Sequence, residues 1–277
     1  MKKFFKIVVF SLLFGLFGNL GLFAQTTLED VVWMHFIVDG LQSGGSVAHT
    51  EIKITNPTPN VATMFIESFD HYGNNFKVGL IEKNTNRIFR STPISIDLNS
   101  NESVTFETFR NSSEDEDDYA KIGWVQITSS VSVIAYSILK ETNGTTNLPL
   151  FGTSTKLKNF FIPISILNEN NPDRLTDVLI MLINPKNNGE NFQITLAYPD
   201  GSVKERRMLF IGARSQKFVS FRSYFGYNDF SGLLYVFSEK NIVPIAYRYY
   251  TYSIFFSGEK FIPEELPITN LTEYTEQ

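Results

Sequence analysis

The sequence predicts an all-β protein with two tandem antiparallel Ig-like β-sandwich domains that follow an N-terminal signal peptide. Three observations support this fold class. Apolar and polar residues alternate with a period of two, turn residues recur at short intervals, and the same order of landmarks occurs twice. No segment after the first 24 residues shows convincing helical periodicity, so we expect strands throughout the mature chain.

The internal repeat is carried by matching turn and strand residues at similar spacings. Each copy contains a strand-ending Asn-Pro, a turn glycine 16 residues later, a glycine that opens an apolar strand and an Ile-Ala-Tyr segment. In order, these landmarks are Asn56-Pro57, Gly73, Gly123 and 134–136 in the first copy, and Asn184-Pro185, Gly201, Gly232 and 245–247 in the second. A fixed order of landmarks indicates two copies of one fold.

The repeat and the local composition predict five segments along the chain. These are a signal peptide at 1–24, a first sandwich domain at 25–141, a linker at 142–156, a second sandwich domain at 157–265 and a polar tail at 266–277. The signal has Lys2, Lys3 and Lys6 ahead of an apolar stretch that ends near Ala24. An uncleaved N-terminal membrane anchor is the alternative for this stretch. We expect no transmembrane segment in the mature chain.

The strands of the first copy follow from alternation and from turn residues that end each run. Ile52 and Ile54 alternate with polar residues up to Asn56-Pro57, and proline ends a strand because it cannot donate to the ladder. The further runs of the first copy are 63–69, 94–99, 104–107, 123–128 and 131–139. Those of the second copy are 178–183, 192–198, 217–221, 233–237 and 242–252. The first copy alone has extra residues at 81–91, which predict a longer loop or a hairpin.

A set of short motifs accompanies these strands. The first copy has His35-Phe36, Gly44-Gly45, Asn56-Pro57, 70–73, Gly123-Trp124 and Tyr136, and the second has Phe160-Phe161, Asn184-Pro185, Asp200-Gly201, Gly232 and Tyr247. The set resembles uncharacterised secreted bacterial modules that often occur in tandem, although the second copy lacks the His, the Gly-Gly loop and the Trp. The resemblance implies Ig-like or fibronectin-like sandwiches and export, and it implies no enzymatic activity.

Composition and charge narrow the range of partners. The chain has no cysteine, which excludes disulfides, thiolate zinc sites and thiol nucleophiles. Its formal net charge is −5, with −8 in residues 25–150 and 0 in residues 151–277. An acidic exported protein is a poor candidate for binding nucleic acid. We expect a periplasmic, cell-surface or extracellular location and a protein or polysaccharide partner at the cell surface. The uneven charge also allows head-to-tail self-association.

Catalytic and metal chemistry has little support in the sequence. His35, His49 and His71 could form a metal site, but none of them is paired at helical spacing and surface or capping roles are the default. No G-x-S-x-G elbow occurs, and paired carboxylates cannot be judged from sequence alone. The acidic run 114–118 is a solvated loop by default, with calcium binding as the alternative. We therefore predict no catalytic residue, no metal site and no cofactor.

The most suggestive surface is aromatic. Tyr250, Tyr252 and Arg248 lie on one face of a predicted strand, and Tyr224 and Tyr227 in a predicted loop extend the same patch. Exposed tyrosines are typical of recognition surfaces. The alternative is that this stripe packs on the linker, the tail or the first domain.

These observations predict a non-catalytic, exported protein that binds or scaffolds at the cell envelope or outside the cell, as an adhesin-like or matrix-like module. A carbohydrate-binding module that uses the tyrosine stripe is the first alternative. A hydrolase with an unrecognised shallow site is the second.

Overall fold

The computed structural model describes residues 30–41, 47–76, 78–110, 121–141, 147–166, 175–251 and 264–271. Over these residues the protein is all-β, with antiparallel strand pairing throughout and one short helix. We call β1–β10 the N-terminal half and β11–β18 the C-terminal half.

The N-terminal half contains β1 Asp30–Leu41, β2 Val47–Thr55, β3 Ala62–Asp70, β4 Val78–Glu82, β5 Arg87–Phe89, β6 Ile94–Leu98, β7 Ser103–Arg110, β8 Lys121–Ser129, β9 Ile134–Glu141 and β10 Asn147–Phe151. The C-terminal half contains β11 Leu157–Ile166, β12 Leu175–Ile183, β13 Glu190–Ala197, β14 Val203–Ile211, β15 Gln216–Ser220, the helix α1 Phe221–Phe225, β16 Phe230–Thr251, β17 Glu264–Glu265 and β18 Thr269–Asn270.

Each half is a hydrogen-bonded sheet that folds over into two layers, which gives a sandwich-like arrangement. In the N-terminal half, one layer has the order β6-β3-β8-β1 and the other the order β5-β4-β7-β2-β9-β10. Strand β1 joins them because its residues 39–41 pair with β2, while residues 30–34 and 37–39 pair with β8. In the C-terminal half, the layers are β14-β13-β16-β11-β18 and β15-β12-β16-β17, and the long strand β16 belongs to both.

The apolar alternation of the strands fills the space between the two layers of each half. In the N-terminal half, Ile52 and Ile54 on β2 face Met64 and Ile66 on β3 across one core. In the C-terminal half, Phe160, Phe192 and Phe221 are the bulkiest fully buried side chains of a second core. Burial of this apolar area is the main driving force for folding, and the chain has no cysteine to cross-link it.

The strand pairings of the N-terminal half recur in the C-terminal half with matching register. Met34 pairs with Val125 between β1 and β8, and Ile162 pairs with Leu234 between β11 and β16. Ile162 lies 128 positions after Met34, the same interval that separates the two Asn-Pro landmarks. The N-terminal half alone carries the β4–β5 hairpin, as the extra residues at 81–91 predict.

The Asn of each Asn-Pro landmark is a buried clamp that joins three backbone segments. The Asn56 amide donates to the backbone oxygens of Asn60, Leu98 and Asn99 over 2.7–3.1 Å.

In the C-terminal half the clamp recurs. The Asn184 amide donates to the backbone oxygens of Asn188, Ile211 and Gly212 over 2.8–3.4 Å. The side-chain oxygen of each Asn accepts the backbone N–H two positions on. These residues therefore tie a strand end to the turn that follows and to the neighbouring layer.

The two halves pack against each other through a second set of buried apolar residues. Trp124 is fully buried, and its ring stacks on Phe69 with centroids 4.6 Å apart. Its indole Nε1 donates to the backbone oxygen of Arg214 in the C-terminal half at 3.0 Å. A further cluster joins Val38, Ala48, Leu139 and Leu150 to Met181, Ile245 and Tyr247.

Several observed elements fall in segments to which the sequence assigns no strand or helix, or a different one. The segment predicted as a linker contains β10, which pairs with β9, and the predicted polar tail contains the buried Leu266 and the strand β18. The runs 233–237 and 242–252 were expected as separate strands, but residues 233–237 and 242–251 lie in the one strand β16, and residue 252 lies outside the described residues. The expectation of no helix is wrong, because residues 221–225 form α1.

Two alignments between the copies also change. Ala135 pairs with Ile54 in the N-terminal half, and the matched pair in the C-terminal half is Pro244 with Leu182. By strand register Ala135 therefore corresponds to Pro244 and not to Ala246, so the Ile-Ala-Tyr match is out of register by two positions. Met34 and Ile162 hold matched positions in the two halves. Trp33 and Phe161 come directly before them, so Phe161 corresponds to Trp33 rather than to a residue of His35-Phe36. Sequence similarity here did not follow strand register.

We expect Asn184→Ala to lower the free energy of unfolding by about 1–3 kcal/mol, because it leaves buried backbone oxygens without donors. Chemical denaturation measures the change. Asn60→Ala is the matched control: its side chain is exposed and only its backbone oxygen joins the Asn56 clamp. An Asn184→Ala variant as stable as the control would contradict the clamp's role.

Candidate binding surface

The residues of the predicted tyrosine patch lie in two parts of the C-terminal half. Tyr224 is in α1 and Tyr227 follows it, whereas Arg248 lies near the end of β16. The Tyr250 backbone pairs with Thr176 of β12, but the Tyr250 side chain and all of Tyr252 lie outside the described residues. The structure therefore places Tyr224 and Tyr227 together and leaves the stripe on β16 only partly described.

The final part of β16 has packed neighbours on both faces. Ala246 belongs to the core of the C-terminal half, and Ile245 and Tyr247 point the other way into the cluster shared with the N-terminal half. Arg248 is half-buried. Tyr247 is 5% exposed, so on this part of the strand the aromatic residue contributes to packing between the halves.

A tyrosine cluster, formed by Tyr198, Tyr224 and Tyr227, lies at one end of the C-terminal half together with charged residues of β14. The Lys204 ammonium lies 5.5 Å from the centre of the Tyr198 ring and 5.2 Å from that of Tyr227. Such distances are typical of cation–π contacts. A side-chain hydrogen bond with Tyr198 raises the pKa of Lys204. The lysine therefore stays charged between two aromatic rings.

Arg207 and Glu205 complete the tyrosine cluster. The Arg207 guanidinium lies 5.1 Å from the centre of the Tyr224 ring and donates to the Tyr224 backbone oxygen. The Tyr227 hydroxyl donates to Glu205 at 3.1 Å. Loss of hydration, and then this carboxylate, raise the pKa of Tyr227. The arrangement offers aromatic rings with fixed charged donors and acceptors beside them.

The short helix α1 holds Tyr224 in place through residues that are distant in sequence. The Asp177 carboxylate accepts from the Ser220 hydroxyl at 2.6 Å and from the Arg222 backbone N–H at 3.0 Å. Ser220 caps the helix by accepting from the Ser223 N–H, and Gly226 ends it with φ of 78°. Because this five-residue helix depends on Asp177 of another strand, its own sequence has no helical periodicity from which it could be predicted.

A second surface, which we call the aromatic face, lies on the outer side of the layer β14-β13-β16-β11. It consists of Phe161, Tyr235, Phe237, Met208 and Phe210. Met208 and Phe210 are 62% and 61% exposed, and Phe237 is 38% exposed. The Tyr235 ring lies 5.9 Å from Phe161 and 6.1 Å from Phe237, with the second pair nearly parallel.

The register-matched surface of the N-terminal half is polar where the aromatic face is apolar. Strand pairing matches Met208 and Phe210 to Ser95 and Asp97, and Tyr235 and Phe237 to Gln126 and Thr128. Phe161 corresponds to Trp33, which is only 2% exposed because it packs towards the C-terminal half. Because the two halves share this strand register, the register itself does not require the apolar residues of the aromatic face.

The aromatic face is absent from the sequence-based prediction, although the sequence contains a signal for it. Tyr235 and Phe237 alternate with the buried Leu234 and Val236 along β16. A comparison of these outward positions with the polar Gln126 and Thr128 would have shown the difference. That comparison requires the strand register, which the short landmarks alone did not supply.

The three histidines have separate surroundings. His35 is buried between the halves, His49 lies 3.6 Å from Glu107, and the His71 ring lies against Tyr72. Among the described residues, no group of three or more His, Cys, Asp or Glu side chains could hold a metal ion. The acidic run 114–118 lies outside those residues. In the described part of the chain, no helix is long and apolar enough to cross a membrane.

His35 gives the contact between the halves a dependence on pH. Its Nε2 donates to the Val243 backbone oxygen at 3.1 Å, and burial lowers the pKa of the imidazole from 6.5 to about 4. The unfolded chain therefore binds a proton at a pH where the folded chain does not. Stability from this group is complete above about pH 6.5 and is lost as the pH falls towards about 4.

We expect the free energy of unfolding to fall by about 3 kcal/mol from this histidine alone over that interval. His35→Leu should remove that part of the pH dependence, and His71→Gln should keep it because His71 lies in a turn. Denaturant unfolding at a series of pH values measures both. Equal pH slopes for wild type and His35→Leu would show that His35 does not titrate in this way.

Comparison of the chain with protein-family models, with curated proteins and with solved structures found no match. The function of the chain has therefore to be inferred from its own residues.

Proposed function

We propose that this chain is a non-catalytic, exported binding or scaffolding protein at the cell envelope or outside the cell. In this proposal the two halves are tandem Ig-like domains, and the partner is a protein or polysaccharide at the cell surface. The repeated register and the separate core of each half support the tandem arrangement.

The observation that carries the binding function is the aromatic face. Large apolar side chains on the solvent side of a sheet are common at interaction sites, whereas a folded monomer has no need to keep them together there. The matched positions Ser95, Asp97, Gln126 and Thr128 indicate that this fold accommodates polar residues at the same places. Retention of Met208, Phe210, Tyr235 and Phe237 is best explained by a partner.

The packing between the halves favours a rigid support for this face. Contacts with the N-terminal half use the other layer of the C-terminal half, through Met181, Ile183 and Val243. On the outer side of β14-β13-β16-β11, Met208, Phe210 and Phe237 are exposed among the described residues. A preformed surface on a rigid sheet binds with a smaller loss of conformational entropy than a loop does.

We expect the double variant Tyr235→Gln, Phe237→Thr to fold and to lose its partner. The new residues are those at the matched positions of the N-terminal half, so the strand tolerates them. Crosslinking of the native protein on intact cells, followed by mass spectrometry, should recover a discrete partner with wild type. Recovery with the variant should fall by about tenfold or more, because central aromatic anchors each contribute about 2 kcal/mol or more.

Thr128→Ser, at the position that matches Phe237, is the control and should keep full recovery. Full recovery with the folded double variant would remove the aromatic face from the proposal. Recovery of the protein alone would instead direct attention to self-association.

A carbohydrate-binding function is the second candidate, and the tyrosine cluster favours it. Tyr198 is 37% exposed, and Lys204 and Glu205 lie beside the rings of Tyr198 and Tyr227. Aromatic rings stack on the apolar faces of sugars, while charged donors and acceptors bond their hydroxyls. The predicted residues Tyr224 and Tyr227 both belong to this cluster.

For the carbohydrate candidate we expect Tyr198→Ser to abolish binding on a glycan array while the double variant on the aromatic face still binds. Tyr72→Ser is the control, because Tyr72 is a 72% exposed tyrosine in a turn of the N-terminal half. An array on which wild type binds no glycan would exclude this candidate and leave the aromatic face unaffected.

A further inference from the structure

The tyrosine cluster has no counterpart in the N-terminal half, although the turn that carries Tyr198 does. Tyr198 holds the position of Asp70, because each donates its backbone N–H to the residue four positions on and accepts from a glycine three positions on. The Asp70 carboxylate also supports its own turn by accepting from the backbone N–H groups of Tyr72 and Asn74. The turn therefore forms without a ring at this position.

The charged residues of the cluster are likewise absent from the matched strand. By strand register Arg207 corresponds to Ile94, which is the first residue of β6. The part of β14 that carries Lys204 and Glu205 therefore extends beyond the strand that it matches. Neither the turn nor the shared register explains why aromatic and charged side chains are assembled at this end of the C-terminal half.

Two cations of β14 have charge available for a ligand. Lys204 and Arg206 are exposed and lie two positions apart along the strand, so their Cα atoms are about 7 Å apart. Within the described residues, neither side chain takes part in an ion pair. The hydrogen bond with Tyr198 raises the pKa of Lys204, so its ammonium group is charged at neutral pH.

The carboxylate of the cluster, by contrast, is already occupied. Glu205 accepts from the Arg207 guanidinium and from the Tyr227 hydroxyl. This ion pair neutralises Arg207, which also donates to the Tyr224 backbone oxygen. The charge left over on β14 is that of Lys204 and Arg206, and complementarity therefore favours an anionic ligand.

The rings beside Lys204 rest on a buried support. The Tyr198 and Tyr227 rings lie 5.8 Å and 6.2 Å from the ring of Phe230, which is 5% exposed. Tyr198 itself is 37% exposed. Rings that are held in place before a ligand arrives lose little conformational entropy on binding.

From this arrangement we propose that the tyrosine cluster binds an anionic polysaccharide, with a sugar ring against Tyr198 and carboxylate or sulfate groups on Lys204 and Arg206. The inference rests on the carbohydrate-binding candidate above and names the charge of its ligand. A charged polysaccharide repeats its anionic groups along the chain, so it can reach both cations of the strand at once.

The overall acidity of the protein does not oppose this ligand at the site. The acidic excess lies in residues 25–150, which carry −8, whereas residues 151–277 carry a net charge of 0. The part of the chain that holds the cluster therefore has no net charge of its own to repel a polyanion, and exposed charges farther than about 8 Å away are largely screened at physiological salt.

Isothermal titration calorimetry with matched polysaccharides tests the charge of the ligand. Polygalacturonate and its fully methyl-esterified form share one sugar backbone, and esterification removes the carboxylate charge. Dextran sulfate and neutral dextran make the same comparison for sulfate. Wild type should bind at least one polyanion about tenfold or more tightly than its neutral form, and added salt should weaken that binding. The pair that shows the difference identifies the anionic group.

Variants at Lys204 test whether this contact lies at the cluster. Lys204→Gln should lower the affinity for the polyanion about tenfold, because a hydrogen bond between charged groups is lost. Lys204→Arg keeps the charge and should keep most of the affinity. Lys217→Gln removes an exposed lysine from β15 and, as the control for net charge, should bind like wild type. Circular dichroism melting checks that every variant is folded.

The outcomes separate this inference from the functions proposed above. Equal affinity for each polyanion and its neutral form overturns the inference and leaves the carbohydrate candidate standing. An equal loss in Lys204→Gln and Lys217→Gln also overturns it, since net charge would then explain the binding. Wild type that binds none of these polysaccharides and no glycan on the array removes the inference and the carbohydrate candidate together. The aromatic face is tested separately through Tyr235 and Phe237.

Discussion

The burial of Trp124 between the two halves is the contact on which the arrangement of the molecule depends. Its ring stacks on Phe69, and its indole nitrogen donates to the Arg214 backbone of the other half. Gly73 lies so close to the backbone oxygen of Ala213 that a side chain there would collide with it. These contacts join a turn of one half to a turn of the other, and they determine which layer of the C-terminal half is covered.

Because only one layer of the C-terminal half is covered, aromatic residues at matched positions of the two halves have different surroundings. Trp33 and Phe161 hold matched positions, yet Trp33 is buried towards the C-terminal half and Phe161 is half-exposed on the aromatic face. The same position thus serves internal packing in one copy and the outer surface in the other. The polar Gln126 beside Trp33 accepts from its indole nitrogen at 3.1 Å, whereas Tyr235 beside Phe161 adds another ring.

The strands and their repeat could be predicted because their signals are local. Period-two alternation and the Asn-Pro turns depend on neighbouring residues, and the clamps made by Asn56 and Asn184 explain why the same pair ends a strand in both copies. The position of Tyr247 could not be predicted in this way, since its burial depends on Val38 and Leu150 of the other half.

Other parts of the candidate surface depend on contacts across the sheet. The helix α1 relies on Asp177 of β12 to hold its first turn, and β16 continues past Pro244 because that residue is paired within the sheet. The aromatic face is assembled from β11, β14 and β16, which lie far apart in the sequence. By contrast, Tyr224 and Tyr227 could be predicted as part of one patch because they are neighbours along the chain.

The segment after β9 shows where one copy of the fold ends. Gly152 donates to Ala135 and Trp33 pairs with Thr153, so this segment runs along β9 and then reaches back to β1. In the C-terminal half, Leu266 donates to Ala246 and β18 pairs with β11 in the same manner. The set of pairings that recurs therefore includes a closing segment in each half, from β1 to Thr153 and from β11 to β18. A fragment that ended with β9 would lose strand β10 and the pairing of Trp33 with Thr153. A fragment of the N-terminal half that is intended to fold alone should therefore extend beyond Thr153.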